Sequence, residues 1–231
     1  MAEVVPLVTI DGPAGAGKGT VAQRLAQRLG WHYLDSGALY RVLALAVLRD
    51  GLPAHDDARL VERARRLVVE FRPQAQGYRL YLDGAPVGDE LRTEACAAMA
   101  SEVASRPPVR AALLELQRRQ WRGPGLVAEG RDMGTVVFPQ APLKVFLTAD
   151  AGERARRRVE QLRGHGASAN LEVISDDLRA RDRRDRERST APLRPAADAI
   201  VIDSTGVSVE GVMDRLMALC RARLGGGVEV S

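Results

Sequence analysis

The sequence predicts an α/β fold: a central parallel sheet flanked by helices and interrupted by a small inserted region. Three observations predict it. Short apolar, β-branched runs alternate with helical periodicity along most of the 231 residues, the pattern of a parallel sheet built from strand–helix units. The first such run, Val8–Ile10, passes through a glycine-rich loop straight into a helical pattern. Between 68 and 121 the texture changes, and short runs with turn signals break the alternation.

Taken in order, Val8–Ile10 reads as a strand. Gly17–Leu29 reads as a helix, with Val21, Leu25 and Leu29 on one face and Gly30 as its stop. Trp31–Leu34 is a short second strand. Leu39–Arg49 is a helix closed by Gly51-Leu52-Pro53, and Ala58–Val68 is another. Val68–Arg72, Tyr78–Asp83 and Ala85–Val87 read as antiparallel strands, the last two joined by the hairpin signal Asp83-Gly84. Two helical segments follow, Leu91–Ser105 and Pro108–Trp121, the second opening on a proline where a helix tolerates one. Strands resume at Leu126–Glu129 and Leu143–Thr148. Arg-rich helices span Ala151–Arg163 and Asn170–Arg188, separated by a loose, glycine-containing stretch at 164–169. A last strand, Ala199–Ile202, precedes a helix at Val209–Leu224. No internal repeat is visible.

Composition narrows the class. Hydrophobic residues make up 45% and charged residues 28%, so a sizeable core is expected; at 4% aromatic it is built from Leu, Val, Ile and Ala. No run approaches the ~18 apolar residues of a membrane span. The N-terminus lacks the basic-then-apolar layout of a signal peptide. Cys96 and Cys220 lie far apart without metal spacing and read as buried, reduced thiols. A soluble, cytoplasmic protein is expected. The net charge of +4 suits nucleic acid or small polyanions as partners. Lys occurs only at 18 and 144 in a chain that otherwise uses Arg. Lys18 is therefore informative: an ammonium on a slim stem fits along phosphates where a guanidinium is too wide.

Lys18 sits in Gly12-Pro13-Ala14-Gly15-Ala16-Gly17-Lys18-Gly19-Thr20. The first seven residues match the phosphate-binding loop G-x-x-x-x-G-K at every fixed position, between a strand and a helix as the motif requires. The glycines let backbone N–H groups turn inward as an anion nest, and the helix N-terminus adds its positive end. Lys18 places a full charge over the β- and γ-phosphates. The general motif has Ser or Thr directly after Lys. Here Gly19 intervenes, leaving Thr20 to contact phosphate or cap the helix. A GTPase reading would need an N-K-x-D motif, which is missing; DSTG at 203–206 is a short, misplaced match to D-x-x-G.

Three more stretches carry chemistry. Asp35-Ser36-Gly37 lies at a strand end, where Ser36 can donate to a phosphate or ribose, or cap the next helix; Arg41 can fork onto a phosphate. Glu129-Gly130-Arg131-Asp132 also follows a strand. Arg131 suits an acceptor phosphate. Asp132 can accept from the exocyclic amino group of a base and repels a carbonyl in the same place. Glu129 can hold a magnesium-bound water. Arg181, Asp185 and Arg188 recur at helical spacing on one face, a stripe able to bind sugar hydroxyls and phosphates. The bland reading, an exposed face with weak ion pairs, fits Arg183, Arg184 and Arg186 better.

GKGT resembles the loop of the nucleoside monophosphate kinases. With LDSGALYR, EGRDMGTVVFP and RDRRDRERSTAPLRPAADAIVIDST it resembles, over nearly the whole chain, the bacterial cytidylate kinases. That resemblance implies a P-loop three-layer fold. Its core is 1–67, 122–150 and 189–231, with an inserted α+β monophosphate-binding region at 68–121 and a helical lid at 151–188. It implies Lys18, Arg131 and Arg188 as catalytic, and residues 12–20 as the ATP loop. It implies Ser36, Arg41, Ser101, Arg110, Arg131, Asp132, Arg181, Asp185 and Arg188 as contacts for CMP or dCMP. Ser101 and Arg110 come from the resemblance alone, as do Arg181 and Asp185 meeting the sugar. Mg²⁺ enters with ATP, with no direct protein ligand expected. No nucleic acid, no membrane and a monomer are expected. Gly164-His165-Gly166-Ala167 reads as a flexible element of the lid. Kinases for AMP, GMP or UMP, a nucleic-acid-bound P-loop ATPase and a non-catalytic nucleotide-binding module remain the alternatives.

Overall fold

In a computed structural model, the structure describes residues 5–75, 77–164, 169–188 and 190–225. The elements are β1 (Leu7–Asp11), α1 (Lys18–Leu29), β2 (His32–Asp35), α2 (Ser36–Arg49), α3 (Asp57–Arg66), β3 (Val69–Pro73), β4 (Tyr78–Leu82) and β5 (Ala85–Val87). They continue with α4 (Glu94–Ala104), α5 (Pro107–Arg119), β6 (Leu126–Gly130), β7 (Leu143–Thr148), α6 (Ala151–Gly164), α7 (Leu171–Glu187), β8 (Ile200–Asp203) and α8 (Val209–Leu224). Five strands form the larger sheet in the order β2-β6-β1-β7-β8; β3-β4-β5 form the smaller one. The chain falls into two compact units, one drawn mainly from Gly30–Leu126, the other from Pro6–Leu29 with Val127 onward.

In the second unit β1 and β7 pair in parallel, Val8 opposite Leu143 and Asp11 opposite Phe146. β8 joins β7 in the same sense, Val145 opposite Ile200. Every residue of β1 and of β6 is buried, as expected of strands covered by helices on both faces. Leu7, Val8 and Ile10 are fully buried, each worth about 1.5–3 kcal/mol of hydrophobic stabilisation. The parallel register brings the carboxyl ends of β1, β7 and β8 to one edge, where α/β sheets bind ligands. The helix α1 buries Val21, Ala22, Leu25, Ala26 and Leu29 and packs on α8. Both thiols are buried and free, and Cys220 sits in that packing face of α8.

In the first unit α2 packs on α4, and α3 on α5. The smaller sheet is antiparallel throughout. Its hairpin turn takes the two positive φ values of a type I′ turn, +49° at Asp83 and +83° at Gly84. Asp83 tolerates this because its carboxylate accepts from the Val68 N–H at 3.1 Å and pairs with Arg63.

Three readings need correcting. The helix expected from Leu39 begins at Ser36, and its cap is Asp35, whose Oδ1 accepts from the Ala38 N–H at 2.8 Å. Ser36 is therefore the first helical residue and not the cap. The helix expected over Leu91–Ser105 is a 3₁₀ turn at Asp89–Arg92 followed by α4. Thr93 separates them with ψ of 150° and caps α4 through the Cys96 N–H. Met133–Val137, unassigned from sequence, forms one turn of π-helix.

A Cβ on Gly84 would meet nothing within 4 Å, so only its φ of +83° opposes a side chain. Gly84→Ala should lower the unfolding free energy in urea by about 1 kcal/mol and leave turnover unchanged.

Candidate functional site

The phosphate loop leaves β1 at Gly12, whose φ is +148°. A Cβ there would lie 1.9 Å from the Leu147 carbonyl oxygen, so only glycine fits. Lys18 opens α1 and is buried, its Nζ donating to the Pro13 carbonyl oxygen at 2.8 Å. The ammonium thus lies across the loop it closes. Thr20 is exposed on the first turn of α1.

The odd Gly19 has a local cause. Its Cβ, if present, would stand 2.9 Å from Oε1 of Glu129, the buried carboxylate near the end of β6. A bare backbone at 19 lets that carboxylate lie against the start of α1. The loop is therefore not damaged: one acidic group takes the space of the missing hydroxyl side chain.

Arg131 and Asp132 follow β6. Arg131 Nε donates to Asp185 Oδ2 at 2.8 Å, and Arg188 Nη2 donates to Asp185 Oδ1 at 3.0 Å. One carboxylate from α7 thus bridges two guanidiniums, one on α7's own end and one from the turn after β6. Arg181 lies exposed on α7. Asp132 is buried. In the other unit, Ser36 is buried at the start of α2, and Arg41 sits further along that helix. The Arg41 carbonyl oxygen accepts from Cys96 Sγ at 3.4 Å. Arg110 on α5 holds its guanidinium 5.6 Å from the centre of the Tyr40 ring and donates to the Ala104 carbonyl oxygen at 3.5 Å. Ser101 is exposed on α4. The packing of α2, α4 and α5 against one another carries these four residues. Of the lid stretch 164–167, only Gly164 is described, closing α6; the rest lies outside the described residues.

Sequence reasoning missed three residues. Arg154 of α6 donates through Nη1 to the Ala14 carbonyl oxygen and through Nε to that of Ala149, both at 3.1 Å. Its Nη2 pairs with Asp182 of α7 at 2.7 Å, the two side chains 7% and 6% exposed. The third is Asp11, at the end of β1 and 4% exposed. Its Oδ1 accepts from the Met133 N–H at 2.8 Å and its Oδ2 from the Gly134 N–H at 2.7 Å. Burial pushes its carboxyl up from an ordinary 3.8 to about 6; the two N–H bonds and nearby Lys18 oppose this, and Asp132 adds to it. The available signal for Asp11 was a charge closing an otherwise apolar buried strand. DSTG proves to be a turn: Asp203 accepts from the Thr205 N–H at 2.8 Å, and Ser204 accepts from Arg157 at 3.0 Å.

An ammonium folded onto a glycine loop and two guanidiniums sharing one carboxylate are groups equipped to hold phosphates. The family model described as cytidylate kinase matches residues 8–222. The chain belongs to the cytidylate kinase family. It is 53% identical over 220 residues to a cytidylate kinase of Pseudomonas fluorescens, covering 94% of this chain and 96% of that one. It is 49% identical to a cytidylate kinase of Aeromonas hydrophila, covering 97% and 98%. A solved structure of an uncharacterised Eubacterium ventriosum protein aligns with a TM-score of 0.52 at 12% identity, covering 94% and 99%; that likeness concerns the fold alone. As a cytidylate kinase the chain is a phosphotransferase whose acceptor is itself a phosphate group.

The raised carboxyl at Asp11 makes stability depend on pH. The unfolded chain releases the proton near 3.8, whereas the folded protein holds it to about 6. Its contribution is therefore complete below the lower value and lost as pH rises through the upper one. The difference in unfolding free energy, wild type minus Asp11→Asn, should fall across that window by about 3 kcal/mol. Urea titration at each pH reads it, and a flat difference would contradict a desolvated carboxyl.

Proposed function

We propose that this cytidylate kinase transfers the γ-phosphoryl group of ATP to CMP or dCMP, giving ADP and CDP or dCDP, with the residue roles that follow. The observation that carries the assignment of roles is the Asp185 bridge. Two guanidiniums, from Arg131 and Arg188, already share one anion at 2.8 and 3.0 Å. A substrate phosphate can take that place and release Asp185 to the sugar hydroxyls, beside Arg181.

Residues 12–20 cradle the ATP phosphates, with Lys18 across them. Arg131, Arg188 and Arg41 hold the acceptor phosphate. Ser36 donates to it or to the ribose. Asp132 accepts from the cytosine amino group, and Ser101 and Arg110 serve the ring's N3 and O2 acceptors. The acceptor oxygen is anionic at neutral pH, so no general base is required. His32 agrees, since its Nε2 lies 2.9 Å from the Gly123 carbonyl oxygen, remote in role from the loop. Catalysis then rests on in-line positioning and on neutralising the charge between two phosphates. The inserted region 68–121 forms the monophosphate-binding part and 151–188 the lid, which excludes water from the transferring group. Arg154 supports that role by tying α6 and α7 to the loop carbonyl of Ala14.

The donor set fits Mg²⁺ carried by ATP. Among the described residues no group of three His, Cys, Asp or Glu forms a protein cage. Glu129, buried against the start of α1, suits a bound water instead. When bound, the ion neutralises the β- and γ-phosphates. The proposal also includes work as a monomer in the cytoplasm, without nucleic acid. Exposed arginines with local acidic partners support the last point, as in Arg156 with Glu153 and Glu160, and Arg66 with Glu62. No helix among the described residues is long and apolar enough to cross a membrane.

ADP release with Mg·ATP and CMP, dCMP, UMP, AMP or GMP in turn tests the reading; equal rates with every acceptor would refute it. Lys18→Ala and Arg188→Ala should each lower turnover by about 10²–10³. Glu129→Gln should raise the Mg²⁺ concentration needed for half-maximal rate several-fold, while leaving the CMP KM within about twofold.

A further inference from the structure

We propose that Asp11 is a positioning residue for acceptor-base recognition: its carboxylate fixes the turn that presents Asp132. This rests on the reading of Asp132 as the group that meets the cytosine amino group.

The argument begins with the turn itself. The π-helical turn Met133–Val137 opens with backbone N–H groups that have no partner within the turn. A residue at the position of Asp132 commonly satisfies them with its own carboxylate. Here Asp132 stands at that position with φ −141° and ψ 20°, and its side chain makes no cap hydrogen bond. The cap comes instead from 122 residues away in sequence. Asp11 accepts the Met133 N–H on one oxygen and the Gly134 N–H on the other, at 2.8 and 2.7 Å. The cap of this turn is thus supplied by another strand.

The turn is also seated with little tolerance. A Cβ on Gly134 would lie 3.0 Å from Thr9 Oγ1 and 3.2 Å from Lys144 Cδ. Thr9 and Asp11 are alternate residues of β1, so the same strand supplies both the seat and the cap. The carbonyl oxygen of Asp132 accepts from the Val136 and Val137 N–H groups at 2.9 and 3.1 Å, which fixes that residue's backbone from its other side. The charged groups acting on Asp11 are Lys18 and Asp132. Asp11 stays in a site where burial disfavours its charge and two backbone N–H groups favour it. Asp11 also directly precedes Gly12, so one residue ends the strand that launches the ATP loop and holds the turn on the acceptor side.

Asp11→Asn keeps the size but turns one acceptor into a donor that faces a backbone N–H. The expected result is a rise of about tenfold in the CMP KM. The preference for CMP over UMP, as a ratio of kcat/KM, should fall at least about fivefold, with the ATP KM within about twofold. A lower melting temperature with an unchanged ratio would overturn the proposal, since that is what a purely structural carboxylate gives. Wild type measured alongside separates the two claims: a wild-type enzyme without CMP preference removes the reading of Asp132, and with it this inference. If Asp11→Asn does not fold, the wild type is followed from pH 7.5 to 5.0. The amide proton resonances of Met133 and Gly134 should titrate together, and the CMP-to-UMP ratio should fall with the same midpoint. Amides that do not titrate, or a ratio that stays level while they do, would overturn the proposal.

Discussion

Everything in the nucleotide-binding unit depends on a single constraint of the phosphate loop: amides turned toward an anion leave carbonyl groups turned away from it. Those carbonyls need donors. Lys18 serves Pro13 and Arg154 serves Ala14. Arg157 Nη1 lies 3.5 Å from the Ala16 carbonyl oxygen, with the Ser204 hydroxyl, whose shorter contact is the Thr148 carbonyl at 2.9 Å, at 3.3 Å. The loop is thus clothed on its outer side by side chains from α6 and from the turn after β8. Gly12 makes the arrangement geometrically possible by resting on the Leu147 carbonyl.

Arg154 extends this constraint to helices α6 and α7. Its ion pair with Asp182 is almost wholly buried, and removing one partner of such a pair typically costs about 3–5 kcal/mol. Asp182 Oδ1 has no hydrogen-bond partner, so the pair is held by one strong contact and the packing around it. Ala14, Ala155, Leu178 and the adjoining Ile174 form a small apolar cluster there. A loop residue, an α6 residue and α7 residues therefore share one core, which ties the loop to the helices through packing as well as charge.

Much of this was legible in the sequence where the chemistry is local. The strand, glycine loop and helix at 8–29 were readable because their meaning lies in consecutive residues. So was the Asp83-Gly84 hairpin, since type I′ geometry is written in two adjacent positions. The stripe through Asp185 was readable from helical spacing, although its first partner, Arg131, comes from another element. Asp11 offered one local signal, a charge closing a buried strand, and Arg154 none. Their partners lie 122 and 140 residues away, so what either side chain holds was not readable. The turn at 133–137 carries neither period 2 nor period 3.6, and its cap is remote. The 3₁₀ segment before α4 was merged into one helix because the apolar spacing runs on through Thr93, whose ψ of 150° only the fold reveals.

Positions 19 and 129 are neighbours in space. With 2.9 Å between a Cβ at 19 and the acidic oxygen, a hydroxyl-bearing residue after Lys18 demands that the acid retract or shorten. The end of that side chain is able to move, so the glycine records where the acid rests and not a barrier to a larger residue.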